Sequence, residues 1–145
     1  MLVPSNLTEL LERFRQALRH QYEHRGVVVA PAHLIETYPE MRRSYRAVER
    51  TRYRQQREQL RALVDLGSLR LDPDETERLL ANIALVARFW LAEYRTTHYR
   101  HAIDEVIDHY LALIAGLLDP YASESGAAEL TPYLAAMIKI PDGEP

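Results

Sequence analysis

The stretch that decides the fold is "LDPDETERLLANIALVARFWLA", Leu71 to Ala92. Asp72 followed by Pro73 is a helix start: the aspartate side chain accepts from otherwise open amide groups, and the proline ring presets the first helical φ. Glu75, three residues after the cap, completes the pattern of a capping box. From Leu79 to Ala92 only Asn82 and Arg88 are polar. The helix that begins here and runs to about Thr96 is therefore apolar nearly all round. Such a helix needs cover on more than one side, from a central place in a bundle or from a second subunit.

The same punctuation recurs on either side. Asn6 and Glu9 read as a capping box for a first helix, with Leu7, Leu10, Leu11, Phe14, Leu18 and Tyr22 at helical spacing and an end before Gly26. "GVVVAP" is the one strand-like run, but a lone strand has no partner, so it reads as a linker into a short helix after Pro31. Pro39 and Glu40 open a long helix that Gly67 ends as a left-handed cap. A later helix contains "HYRHAIDEVIDHY", His98 to Tyr110, and runs to about Leu118, where Asp119 and Pro120 stop it. One or two short helices follow in "ASESGAAELTPYLAAMI", and the tail frays after about residue 138. The expected fold is all-α: about five to seven helices in a single domain covering residues 1–145.

Composition narrows the function classes. With 145 residues and a formal charge of −3, the chain holds one core and exerts no global pull on nucleic acid or an anionic membrane. It has no cysteine, which removes disulfides, thiol nucleophiles and thiolate metal sites and fits a cytoplasmic location. No apolar run approaches a membrane span, and the N-terminus lacks the order of a signal peptide. There is no glycine-rich phosphate loop and no nucleophile elbow, so no catalytic residue, cofactor or enzymatic activity is expected.

Two charged patterns compete for a role. His101, Glu105 and His109 stack at i, i+4 and i+8, a spacing that could present ligands to one metal ion in a helical metal-dependent enzyme. A di-metal bundle would need Glu-x-x-His pairs, however, and none occurs, so no metal is assigned and these residues read as a solvated or dimer-rim face. His20 and His24 lie one turn apart in "HQYEH", which has the wrong glutamate offset for a zinc protease. Arg42, Arg43, Arg46, Arg50, Arg52, Arg54, Arg57 and Arg61 could contact phosphates, but no nucleic-acid motif accompanies them and they read as a solvated surface.

The order "ETYPEMRRSYRAVERTRYRQQREQLRALVDLGSLRLDPDETERLLANIALVARFWLAEYR", then "LLDPYASESGAAEL", resembles the C-terminal regulatory domain of tetracycline-repressor (TetR) family transcription factors across residues 36–130. The resemblance implies an all-helical, bacterial, ligand-binding domain that forms a homodimer through a four-helix bundle. The family's N-terminal helix-turn-helix has no counterpart in this reading, so no direct DNA contact from this chain is expected. "YEHRGVVVAPAHLIETY" departs from the family pattern and leaves the ligand an unknown small molecule.

The resemblance also gives the site residues. On the long helix the stripe Met41, Tyr45, Val48 and Leu60, Leu63, Val64 is interrupted by Arg52, Gln55 and Gln56, which become pocket candidates. An unpaired buried polar group costs about 1–3 kcal/mol, so such an interruption needs either solvent or a polar partner opposite. Phe89, Trp90 and Tyr94 are candidates for the apolar wall, and His33 is a further pocket residue. Leu85, Phe89, Ile103, Ile107, Tyr110 and Ile114 are the candidate dimer interface. A dimer without any pocket is the remaining alternative.

Overall fold

The computed structural model describes residues 2–28 and 31–139. In chain order these form α1 (Leu7–Glu23), α2 (Arg25–Val28), α3 (Pro31–Thr37), α4 (Pro39–Asp65), α5 (Pro73–Glu93), a π-helical turn (Tyr94–His98), α6 (Ile103–Leu118), a 3-10 turn (Asp119–Tyr121) and α7 (Glu124–Leu134). The fold is all-α, as the helix punctuation implied.

The starts follow local chemistry. Asp72 accepts from the Glu75 amide at 2.7 Å, and the Glu75 carboxylate accepts from the Asp72 amide at 2.9 Å, so the capping box is complete. At α1 it is half formed. Asn6 accepts from the Glu9 amide at 2.8 Å, but the Glu9 carboxylate turns to the backbone and hydroxyl of Ser5. Gly67 ends α4 with φ +80°, a conformation glycine adopts without a Cβ penalty. "GVVVAP" is not the expected linker: Arg25–Val28 closes a helical turn, which satisfies its backbone locally where no strand partner is at hand. Val29 and Ala30, and the "PDGEP" tail, lie outside the described residues.

The central helix is α6, not α5. It packs against α1, α5 and α7. Val106, Ile107, Leu111, Ile114, Ala115 and Leu118 are each 0% exposed. The apolar stretch of α5 buries Leu79, Leu80, Ile83, Trp90 and Leu91 in that core. Its other face stays open: Leu85 and Phe89 are 52% and 55% exposed. α4 diverges in the same direction. Its C-terminal end buries Leu60 and Leu63, while Met41 and Val48 near its start stand half in solvent. The stripe expected to face inward along all of α4 does so only where the core reaches it.

Candidate ligand-binding cleft

Where α4 parts from the body, it leaves a cleft against α1 and α5. Tyr45, Glu49 and Tyr53 recur at i, i+4 and i+8 on α4, which puts them on one face. Opposite them α5 offers Ala84 and Ala87, too small to fill the gap, with Arg88 beside them. α1 closes the third side with His20, Gln21 and His24, around a cavity of about 280 Å³. Tyr45, Glu49, Tyr53 and Arg88 also wall a second cavity of about 520 Å³, which extends to Ala32 and Ile35 of α3 and to Phe89, Leu91 and Ala92 of α5. The two cavities share one wall.

That wall is held by charge. Arg88 Nη2 donates to Glu49 Oε2 at 2.5 Å, and Arg52 Nη1 reaches Glu49 Oε1 at 3.5 Å. Burial works against the Arg88 charge, but Glu49 and Tyr45 more than offset it and hold its pKa above the ordinary value. Arg88 is thus explained: a charge inside an apolar helix needs a carboxylate, and α4 supplies it.

The expected pocket residues divide. Arg52 and Gln56 line the cavity on the α1 side and Phe89 the one on the α3 side. Gln55 sits with Arg52 and Gln56 in a smaller groove of about 170 Å³ against Leu10, Arg13 and Phe14. Trp90 faces the core instead. It is 1% exposed, its Nε1 donates to Gln21 Oε1 at 2.6 Å, and its ring lies 5.4 Å from that of Tyr110. Its link to the cleft runs through Gln21. Tyr94 packs edge-on against Tyr22, and His33 is exposed; neither lines a cavity. Sequence reasoning missed Tyr45, Glu49, Tyr53 and Arg88 as wall residues.

The interface candidates also divide. Ile107, Tyr110 and Ile114 are no more than 1% exposed within the single chain, so a partner has no further surface of theirs to cover. They are core. Ile103 is partly buried, while Leu85 and Phe89 are open.

The histidine stretch folds differently from the expected stack. His101 and Glu105 stay exposed, with 3.4 Å between His101 Nδ1 and Glu105 Oε2. His109 turns inward to 5% exposure and meets His98, also 5% exposed, at 4.7 Å between ring centroids. His98 Nε2 lies 3.7 Å from Glu93 Oε1, so Glu93, His98 and His109 are the group drawn together. The backbone N–H of Ile138 donates to His109 Nδ1 at 2.9 Å. A neutral ring that accepts at Nδ1 carries its proton on Nε2, which leaves no free lone pair for an ion. Burial, then the neighbouring His98, push the His109 pKa down.

No described helix is long and apolar enough to cross a membrane. A family model described as "TetR: Bacterial transcriptional repressor" matches residues 3–130. A TetR-family transcriptional regulator from Marinobacter aquaeolei VT8, solved by crystallography, superposes with a TM-score of 0.80 at 18% identity. The match covers 93% of this chain and 65% of that one, so the chain spans just under two thirds of its structural relative. No curated protein matches. At that identity the structural likeness shows the fold, and the family model, matching most of the chain, shows the kinship: the chain belongs to the TetR family of bacterial transcriptional repressors.

Proposed function

We propose that this chain is the ligand-sensing and dimerising part of a TetR-family repressor, with the ligand held in the cleft between α1, α4 and α5. The observation that carries the reading is the shared wall of Tyr45, Glu49, Tyr53 and Arg88 between two cavities of ligand-sized volume. Arg52, Gln56 and Phe89 belong to the same walls. Gln55 and Trp90 support them from the adjoining groove and through Gln21.

The homodimer surface is proposed around Leu85 and Phe89 of α5, with Ile103 at its margin, because these apolar side chains remain accessible after the chain has folded. A ligand in the cleft presses on α4 and α5 together. It would favour one relative orientation of the two subunits, and in the whole repressor that orientation would set the spacing of DNA-reading segments. No catalytic role is proposed. The pairing of His109 with Ile138 argues against the metal-enzyme alternative.

Mass spectrometry of the purified protein under native conditions, then after denaturation, tests both halves. The expected result is a dimer that releases a small molecule or takes one up in a ligand screen. Replacing Leu85 and Phe89 together by Arg should give a folded monomer with the helical content of the parent. A wild-type chain that stays monomeric at micromolar concentration and binds nothing in the screen overturns the reading.

A further inference from the structure

We propose that the cleft selects an anion: a carboxylate seated at Arg52 and Arg88, attached to a ring-bearing apolar body that lies against Tyr53, Phe89 and Ile35. The inference rests on the cleft being the ligand site and adds the chemical class. It starts from charge. Among the described residues, the walls of the two cavities carry three guanidinium groups, Arg46, Arg52 and Arg88, and one carboxylate, Glu49. Each Glu49 oxygen is engaged by a different arginine, Oε2 by Arg88 at 2.5 Å and Oε1 by Arg52 at 3.5 Å. One carboxylate between two guanidiniums leaves a positive charge uncompensated at the junction of the cavities.

The two pairs are not equal. The Glu49 side chain is 17% exposed and Arg88 34%, whereas Arg52 is 57% exposed and holds Glu49 only at the limit of a hydrogen bond. A guanidinium has five N–H donors, so Arg52 keeps most of its fork for a bidentate acceptor. A second carboxylate entering here would meet unpaired donors and net positive charge. A cationic ligand would instead have to displace an arginine from Glu49. Glu23, which groups with the exposed His20 and His24, does not itself line either cavity.

Polarity then fixes the orientation. The cavity on the α1 side is bounded by His20, Gln21, His24 and Gln56, and the one on the α3 side by Ala32, Ile35, Phe89, Leu91 and Ala92. Tyr45 and Tyr53 line both. An amphiphile with one charged end fits that gradient, head toward α1 at the arginines and body toward α3.

Three probes of one shape decide it: 2-naphthoate, its neutral carboxamide, and 2-naphthylmethylammonium, each titrated calorimetrically into the full chain. The expected order is naphthoate tightest and the ammonium weakest. Arg52→Gln and Arg88→Gln should each weaken naphthoate by about tenfold or more, the scale of one lost charge-assisted hydrogen bond, and weaken the neutral carboxamide less. Arg52 is exposed enough for its variant to fold even if the Arg88 variant does not. Glu49→Gln should act in the opposite direction and tighten naphthoate, since it removes the resident competitor. A carboxamide or ammonium that binds as well as naphthoate overturns the anion inference and leaves the cleft standing. Failure of all three to bind at millimolar concentration overturns the anion inference in this form, while the cleft reading itself stands or falls with the ligand screen and native mass spectrometry above.

Discussion

The two ends of this bundle solve the same problem in different ways. Around α6 the large apolar side chains from Val106 to Leu118 are buried or, at Leu113 and Leu117, partly buried, and the helix is wrapped by α1, α5 and α7. Around the first half of α4 the apolar side chains stand apart, and the wall is closed by Glu49 with Arg52 and Arg88. Dispersion and apolar burial are short-ranged, so the packed end has one arrangement of lowest free energy. An ion pair across a cleft tolerates displacement and exchange with a ligand. The difference separates the part of the chain that holds the fold from the part that is free to respond.

The largest expected effect tests that division. Ile107→Ala removes a side chain with no exposure from the middle of α6 and should cost about 2–5 kcal/mol of stability, read from denaturant midpoints. Phe89→Ala, on the same scale of truncation, should change the stability of the folded monomer by under about 0.5 kcal/mol, because its ring is already half in water. Equal losses at the two positions, measured at a protein concentration where the chain is monomeric, would mean that the cleft is core in solution and that α4 closes over it.

A pair of glycines sharpens the same contrast at intermediate size. Gly126 lies where α7 starts against the turn after α4, and a Cβ there would sit 2.5 Å from the backbone oxygen of Ser68. That oxygen also accepts from the Ser123 amide at 3.0 Å, beside the isolated bridge between Leu69 and Ala122, so it has little freedom to retreat. Gly126→Ala should destabilise by about 1–3 kcal/mol. Gly116, within α6 but on its exposed side, would bring its Cβ no closer than 3.9 Å to Leu134, an ordinary contact. Gly116→Ala should stabilise by about 0.5–1 kcal/mol through helix propensity alone, and thermal melting of the two variants reads both signs.

What the sequence shows well is whatever is encoded within a few residues. Asp72, Pro73 and Glu75 specify a helix start without reference to anything distant, and Gly67 specifies a stop in the same way. The cleft depended on longer reach. Glu49 and Arg88 are 39 residues apart, and nothing local to either names the other. A signal did exist, since Arg88 is one of two polar residues in the apolar stretch from Leu79 to Ala92 and required a carboxylate somewhere opposite. The histidines were misplaced for another reason. His101, Glu105 and His109 keep helical spacing on paper, but the π-helical turn and the break before Ile103 separate His101 from the helix and rotate His98 inward. The apolar run that made α5 look central could not reveal which helix the others would surround. Burial is a property of the assembled bundle.

The smallest expected effect lies at the packed end and has a direction in pH. His109 is faced by Glu93 and His98 from the end of α5 and its π turn, by His101, and by the Ile138 amide from beyond α7. Its pKa is pushed down by burial first and by the two histidines, with Glu93 working the other way. A histidine with a depressed folded-state pKa binds its proton more readily in the unfolded chain. Between the depressed value and the usual one near 6.5, the unfolded state therefore carries more protons and stability rises with pH. The contribution is complete above that usual value and is lost as the pH falls toward the folded-state pKa. The geometry gives the reason: a protonated ring would point an Nδ1–H at the Ile138 N–H, donor against donor. His109→Asn places an oxygen where Nδ1 stands, keeps the acceptor for Ile138 and removes the titration. Its denaturant midpoint should vary less than the parent's between pH 5 and pH 7, a window of about one unit either side of an ordinary imidazole pKa. If the His109→Asn variant tracks the parent across that window, Ile138 is not held through a neutral His109, and the tail docks on α6 by apolar contact alone.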